Sequence, residues 1–184
     1  MKRLYKITDT FENVSYDDSN KESMTHSQTK CIHFDKVKRG YSCIKHLSDM
    51  SSVDALYIKN ENNRYFIEFK NGFIDKSVSY EIRQKIYDSF LMALEIENKT
   101  LDSMRQNTEF ILVYNGKKNE ANQVWEGSSE EISVAPSRTR IANMLARKAK
   151  VSFVRFNLAK FEGYCFRKVW TLNEREFEEL LGLK

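Results

Sequence analysis

The chain has 184 residues, enough for one domain with its own hydrophobic core and too few for two independent ones. Apolar residues make up 41% and charged residues 30%, which fits a modest core under a large polar surface and excludes a disordered chain; no run approaches the ~20 apolar residues of a membrane-spanning helix. Lys and Arg exceed Asp and Glu by 30 to 26, so net charge alone does not mark a nucleic-acid binder, and the placement of the positive charges has to decide.

Met1-Lys2-Arg3-Leu4-Tyr5-Lys6 carries basic residues with no apolar stretch behind them, so neither a secretory signal nor an anchor is readable. With three cysteines, an odd number, this predicts a soluble cytoplasmic protein without a disulfide framework. Residues 8–30 are almost wholly polar and are expected to form a flexible arm or long loop. Asp35 can cap a helix whose apolar positions are Val37, Tyr41, Ile44 and Leu47. Residues 53–58 and 64–70 read as two antiparallel strands, because Asn60-Glu61-Asn62-Asn63 between them is turn chemistry.

Residues 80–97 predict a long helix with Ile82, Ile86, Phe90, Ala93 and Leu94 on one side. Phe110 to Tyr114 is a continuous apolar run suited to a strand buried on both faces. Residues 117–136 are polar and irregular, Ser137 can cap a basic helix over 138–150, and a further strand is expected over 151–156. Thr171-Leu172-Asn173-Glu174 reads as a capping box for a last helix with Phe177, Leu180 and Leu181 inward, stopped by Gly182. Helices and strands alternate, so the class is α/β or α+β in one domain over 1–184.

The chemistry concentrates in Val53-Asp54-Ala55-Leu56 and Ile67-Glu68-Phe69-Lys70. Side chains alternate along a strand, so Glu68 and Lys70 share one face. A loop of suitable length sets Asp54 opposite Glu68 or Lys70 and brings all three groups together. Two carboxylates a few ångströms apart repel unless a proton or cation lies between them, and hard oxygen ligands suit Mg²⁺ or Mn²⁺. The carbonyl of Phe69 can add a ligand. A cation there stabilises charge on a scissile phosphate, while Lys70 orients or deprotonates the attacking water. The alternative is a salt bridge on a hairpin surface.

These residues resemble the PD-(D/E)xK nuclease superfamily, whose signature is an acidic residue on one strand and then Glu or Asp, any residue, and Lys on the next. Asp54, Glu68 and Lys70 match its three positions, with Val53 in place of the proline. The helix from Tyr80 is similar to the one packed behind the site in that superfamily, and its Gln84 resembles a glutamine that some exonuclease-like branches carry, a possible accessory residue. The resemblance covers roughly residues 35–114. It implies a restriction-endonuclease-like mixed central sheet flanked by helices, Asp54, Glu68 and the Phe69 carbonyl as Mg²⁺ or Mn²⁺ ligands, and phosphodiester hydrolysis with DNA favoured over RNA. Many relatives supply a further acid from the helix before the Asp strand. Here that helix carries no Glu, and Glu12 or Glu22 can substitute only by folding back. A catalytically inactive nuclease-fold module that binds nucleic acid or a protein partner is the alternative, and a homodimer or a larger defence or repair complex fits either.

Arg138, Arg140, Arg147, Lys148 and Lys150 supply a basic helix that can track a phosphate backbone; a solvated helix face is the competing reading. Phe153, Phe156, Phe161, Tyr164, Phe166 and Trp170 can offer stacking for bases but are mainly core candidates, with Tyr164 and Trp170 the two to check for exposure. Cys31, His33, Cys43 and His46 match no zinc module, although their residue types can ligate zinc.

Overall fold

The computed structural model describes residues 1–119 and 154–183. Six strands form one mixed sheet: β1 (Thr8–Thr10), β4 (Lys30–His33), β5 (Ala55–Asn60), β6 (Asn63–Lys70), β7 (Thr108–Tyr114) and β8 (Lys168–Asn173), adjacent in that order. The first four pair antiparallel; β7 runs parallel to β6, and β8 parallel to β7. A separate two-stranded hairpin joins β2 (Tyr16–Asp17) to β3 (Glu22–Ser23). The α/β class expected from the alternating pattern is therefore present, as a mixed sheet flanked by helices.

Asn60 makes the β5–β6 turn tight, since its side-chain oxygen accepts from the Asn62 N–H and from Asn63 Nδ2, both at 3.0 Å. The register pairs Ala55 with Ile67 and Leu56 with Phe66. Alternation then sorts the side chains onto two faces. Leu56, Phe66, Phe110 and Leu112 pack under helices α2 (Phe34–Lys45) and α3 (Lys76–Glu97). Ala55, Ile67, Phe69, Ile111 and Val113 pack on the opposite face against the short helix α1 (Phe11–Val14) and the C-terminal helix Glu174–Leu181. β7, flanked by β6 and β8, is buried along its whole length, as its unbroken apolar run requires.

α3 starts earlier than its apolar periodicity indicates, because Asp75 caps it by accepting from the Val78 N–H at 2.9 Å. It ends at Asn98, which adopts a left-handed conformation at φ 54°. α2 begins at Phe34, so Asp35 lies in its first turn and is not its cap; Ile44 and Leu47, expected inward, are exposed. The C-terminal capping box is also shifted: Asn173 is the cap and Glu176 its partner, while Thr171 belongs to β8. Gly182 stops that helix at φ 68°, as expected.

Residues 8–30, read as a polar arm, hold β1, α1 and the β2–β3 hairpin. They dock through three dispersed apolar residues, Phe11, Val14 and Met24, all buried. Phe11 is wholly enclosed and meets the rings of Tyr57, Phe69 and Phe177 at centroid distances of 5.4, 6.5 and 5.5 Å. So few apolar residues give no periodic signal, because their partners lie far along the chain.

Of the strand expected over 151–156, residues 154–156 carry none and residues 151–153 lie outside the described residues; among the described residues β8 forms that edge of the sheet. The basic helix expected over 138–150, with Arg138, Arg140, Arg147, Lys148 and Lys150, lies outside the described residues. Among the described residues no helix is long and apolar enough to cross a membrane.

Candidate active site

Asp54 immediately precedes β5 and is held from three directions. Its carbonyl accepts from the Phe34 N–H at 2.9 Å, fastening it to the start of α2. The neighbouring Val53 N–H donates to Ser89 Oγ on α3 at 2.9 Å. Its own carboxylate accepts from the Phe69 N–H through Oδ2 at 2.7 Å, across the hairpin. Continuing the Ala55–Ile67 register by one residue sets Asp54 opposite Glu68. The hairpin parity argued from sequence is thus what brings the two carboxylates together. Phe69 joins the site through this N–H, while its ring faces the other core.

Glu68 is completely buried on the sheet face beneath α3. Lys70, two residues on along the same face, approaches Glu68 Oε1 at 3.5 Å. The second cation is one that the sequence motif did not include. Lys85, on α3, donates to Glu68 Oε1 at 2.7 Å and stands 3.9 Å from Asp54 Oδ1. Gln84, the accessory candidate, is exposed and turned toward Tyr80, whose hydroxyl it approaches at 3.4 Å. One residue along a helix is a rotation of about 100°, so only one of this adjacent pair can face the sheet. Ile82, Ile86 and Ser89 mark that side, and Lys85 lies among them.

Two carboxylates and two ammonium groups make the cluster formally neutral, but its hydrogen bonding is incomplete. Glu68 Oε2 is buried and has no hydrogen-bond partner among the described residues. A buried carboxylate oxygen with nothing to accept from is costly, and it marks the place where a cation, water or substrate group would be accommodated. Burial, and then repulsion from Glu68, push the Asp54 carboxyl well above the usual carboxylate range, against the pull of Lys85 and the Phe69 N–H. Burial raises Glu68 too, opposed by Lys85 and Lys70. At Lys85 burial works against the charge, but attraction to Glu68 and then Asp54 outweighs it and keeps the ammonium protonated beyond the ordinary lysine range.

Asp35 is the nearest acid that α2 contributes. It accepts from Ser52 Oγ at 2.5 Å and pairs with Lys38 at 3.1 Å, and its charge also acts on Asp54, Glu68 and Lys85. Glu12 pairs with His26 and Gln28 at the outer end of the arm. Glu22 does fold back to the rim of the site, accepting from Asn71 Nδ2 at 2.9 Å, while Asn71 Oδ1 accepts from Asn115 at 2.7 Å.

A cleft of about 440 Å³ opens at the cluster, lined by Asp54, Glu68, Lys70 and Lys85 together with Asp17, Asp18 and Ser19 of the hairpin. The segment beyond β6 is shaped by Asn119, which accepts from the Ile74 N–H at 2.9 Å and donates to the Gly72 carbonyl at 3.0 Å. Among the described residues no three His, Cys, Asp or Glu side chains converge as a ligand set. Cys31, His33, Cys43 and His46 therefore do not assemble, and the acids available at the cleft floor are the pair Asp54 and Glu68.

Of the aromatic candidates, Phe161 and Phe166 are core, whereas Tyr164 is exposed. Trp170 is half-buried, donating its indole N–H to Glu109 at 2.7 Å with Lys168 over its ring at 3.9 Å. Comparison with protein-family models, with characterised proteins and with solved structures finds no match.

Proposed function

We propose that the protein is a metal-dependent nuclease of the PD-(D/E)xK type with a restriction-endonuclease-like fold, hydrolysing phosphodiester bonds, with DNA the favoured substrate. The observation that carries this reading is the pairing of Asp54 with Glu68 on one sheet face, with an unpartnered Glu68 oxygen buried in the floor of an open cleft. The order of elements supports it: the Asp strand, the Glu-x-Lys strand, α3 over the site, then β7 parallel to β6.

In this reading Asp54 Oδ1, Glu68 and the Phe69 carbonyl would hold Mg²⁺ or Mn²⁺, which would supply Lewis-acid stabilisation of charge developing on the phosphate. The Phe69 N–H fixes the rotamer of Asp54 by occupying Oδ2, leaving Oδ1 directed at the cluster. Lys70 lies at the cleft wall, where its ammonium can orient the attacking water and offset charge on the scissile group. Arg138, Arg140, Arg147, Lys148 and Lys150 are the proposed contacts to the nucleic-acid backbone. We place the protein in the cytoplasm, acting as a homodimer or within a defence or repair complex.

A cleavage panel on single- and double-stranded DNA and RNA with Mg²⁺ or Mn²⁺, comparing wild type with Lys70→Ala, tests the reading. Loss of cleavage in a folded Lys70→Ala protein that still binds metal is expected; undiminished cleavage sinks the assignment.

The neutral Asp54–Lys85–Glu68–Lys70 cluster also favours a second reading, a catalytically inactive nuclease-fold module that binds nucleic acid or a protein partner. In that case the lysines serve only to neutralise two buried acids. Absence of cleavage under every metal condition, with nucleic-acid binding retained, is its signature.

A further inference from the structure

We infer that Lys85 is the resident counter-cation of the Asp54–Glu68 pair, so that its ammonium and a divalent ion exclude one another there. This deepens the nuclease reading and rests on it.

The geometry leads to exclusion in three steps. First, Lys85 Nζ already takes the cation position between the acids, 2.7 Å from Glu68 Oε1 and 3.9 Å from Asp54 Oδ1. An ion shared by the two acids would have to use Asp54 Oδ1, which Lys85 already approaches, because Asp54 Oδ2 is committed to the Phe69 N–H.

Second, charge balance forbids simple addition. Two carboxylates, Lys70 and Lys85 sum to zero, and Asp35, whose charge also reaches the cluster, is itself paired with Lys38, so a divalent ion added without release leaves two excess positive charges around a fully buried Glu68. Withdrawal of one ammonium halves that excess. Of the two acids Lys70 meets Glu68 alone among the described contacts, and at the longer distance of 3.5 Å, whereas Lys85 approaches both.

Third, Lys85 has somewhere to go. Its side chain retains 23% exposure and borders the cleft, which Asp17 and Asp18 also line. A lysine ammonium on a flexible four-carbon stem can swing into that space without moving α3. Glu68 Oε2, an acceptor that Lys85 does not use and that has no hydrogen-bond partner among the described residues, points to a ligand other than the lysine.

The experiment is calorimetric titration of Mn²⁺ into the full chain at pH 7, for wild type, Lys85→Met and Lys85→Arg, with circular dichroism confirming each fold. Lys85→Met keeps the length of the stem and removes the competing charge, so its Mn²⁺ affinity is expected to rise by about tenfold or more. Lys85→Arg is expected to bind no more tightly than wild type. Lys85→Met binding Mn²⁺ no better than a wild type that does bind it overturns the inference and leaves the nuclease reading standing. No Mn²⁺ binding by wild type or by Lys85→Met overturns both. Should Lys85→Met fail to fold, the ammonium resonance of Lys85 in the wild-type protein is followed by NMR during Mg²⁺ titration. Its ion-paired signal is expected to disappear as the site fills; a signal unchanged at saturation overturns the inference.

Discussion

Lys85 Nζ and Glu68 Oε1 meet at 2.7 Å across the gap between α3 and the centre of the sheet, joining a helix to the one fully buried carboxylate in the cleft floor. The contact is the only hydrogen bond Glu68 makes through its side chain among the described residues, so stability and site chemistry depend on the same two atoms. Breaking a buried pair from one side costs roughly 3–5 kcal/mol because the remaining charge is left uncompensated. Glu68→Ala is expected to lose about that much in urea-induced unfolding, with cleavage abolished. A loss below about 1 kcal/mol shows instead that the pair is effectively solvated.

Lys70→Ala separates the two roles. Lys70 is partly exposed and makes a single 3.5 Å ion-pair contact, so stability is expected to change by less than about 1 kcal/mol. Single-turnover cleavage is expected to fall by roughly 10²–10⁴-fold, the usual range for a positioned acid–base group. A large loss of stability with modest loss of cleavage reverses the assignment.

At the other end of β6, Arg64 pairs with Glu97 at the end of α3, and both side chains are almost enclosed. Tyr5 donates to the same carboxylate at 3.1 Å and Lys99 approaches it at 3.3 Å. Arg64→Met and Glu97→Met alone are each expected to destabilise by about 3–5 kcal/mol, and the double replacement by less than the sum of the two. A double-mutant cycle in urea measures this, and simple additivity rules out the coupling.

Burial pushes the Cys31 thiol up to about 12 and the Cys165 thiol up to about 11. Both are raised above their unfolded value, so their contribution to stability is complete below about pH 9 and is lost as pH rises from there toward the folded values. Stability measured between pH 8 and pH 10.5 is therefore expected to fall, and to fall less in Cys31→Ala. At pH 8 a thiol reagent is expected to label the exposed Cys43 rapidly and the two buried thiols only after unfolding.

Phe11 anchors the N-terminal segment that walls the cleft. Phe11→Ala is expected to cost about 3–5 kcal/mol in chemical denaturation, the range for an enclosed aromatic residue. Limited proteolysis is expected to cut within residues 8–30 first in that variant. Unchanged stability refutes the docking role.

Local rules determined much of this protein from the chain alone. The Asn-rich turn and period-two alternation specified the β5–β6 hairpin, and parity within it was enough to join Asp54, Glu68 and Lys70 before any contact was known. The buried run of β7 and the body of α3 were legible for the same reason, since each carries its own period over many residues. Tertiary structure alone decided the rest. Lys85 rather than Gln84 faces the acids because the rotation of α3 is set by the packing of Ile82, Ile86 and Phe90 on the sheet, which no motif encodes. Phe11 and Met24 needed Phe69 and Phe177 to give them a core, and β8 needed β7 as its parallel neighbour. These pairings join residues distant along the chain, so neither partner reveals the other within a local window. The hairpin therefore places the two acids, and the helix packed over it supplies the cation that now lies between them.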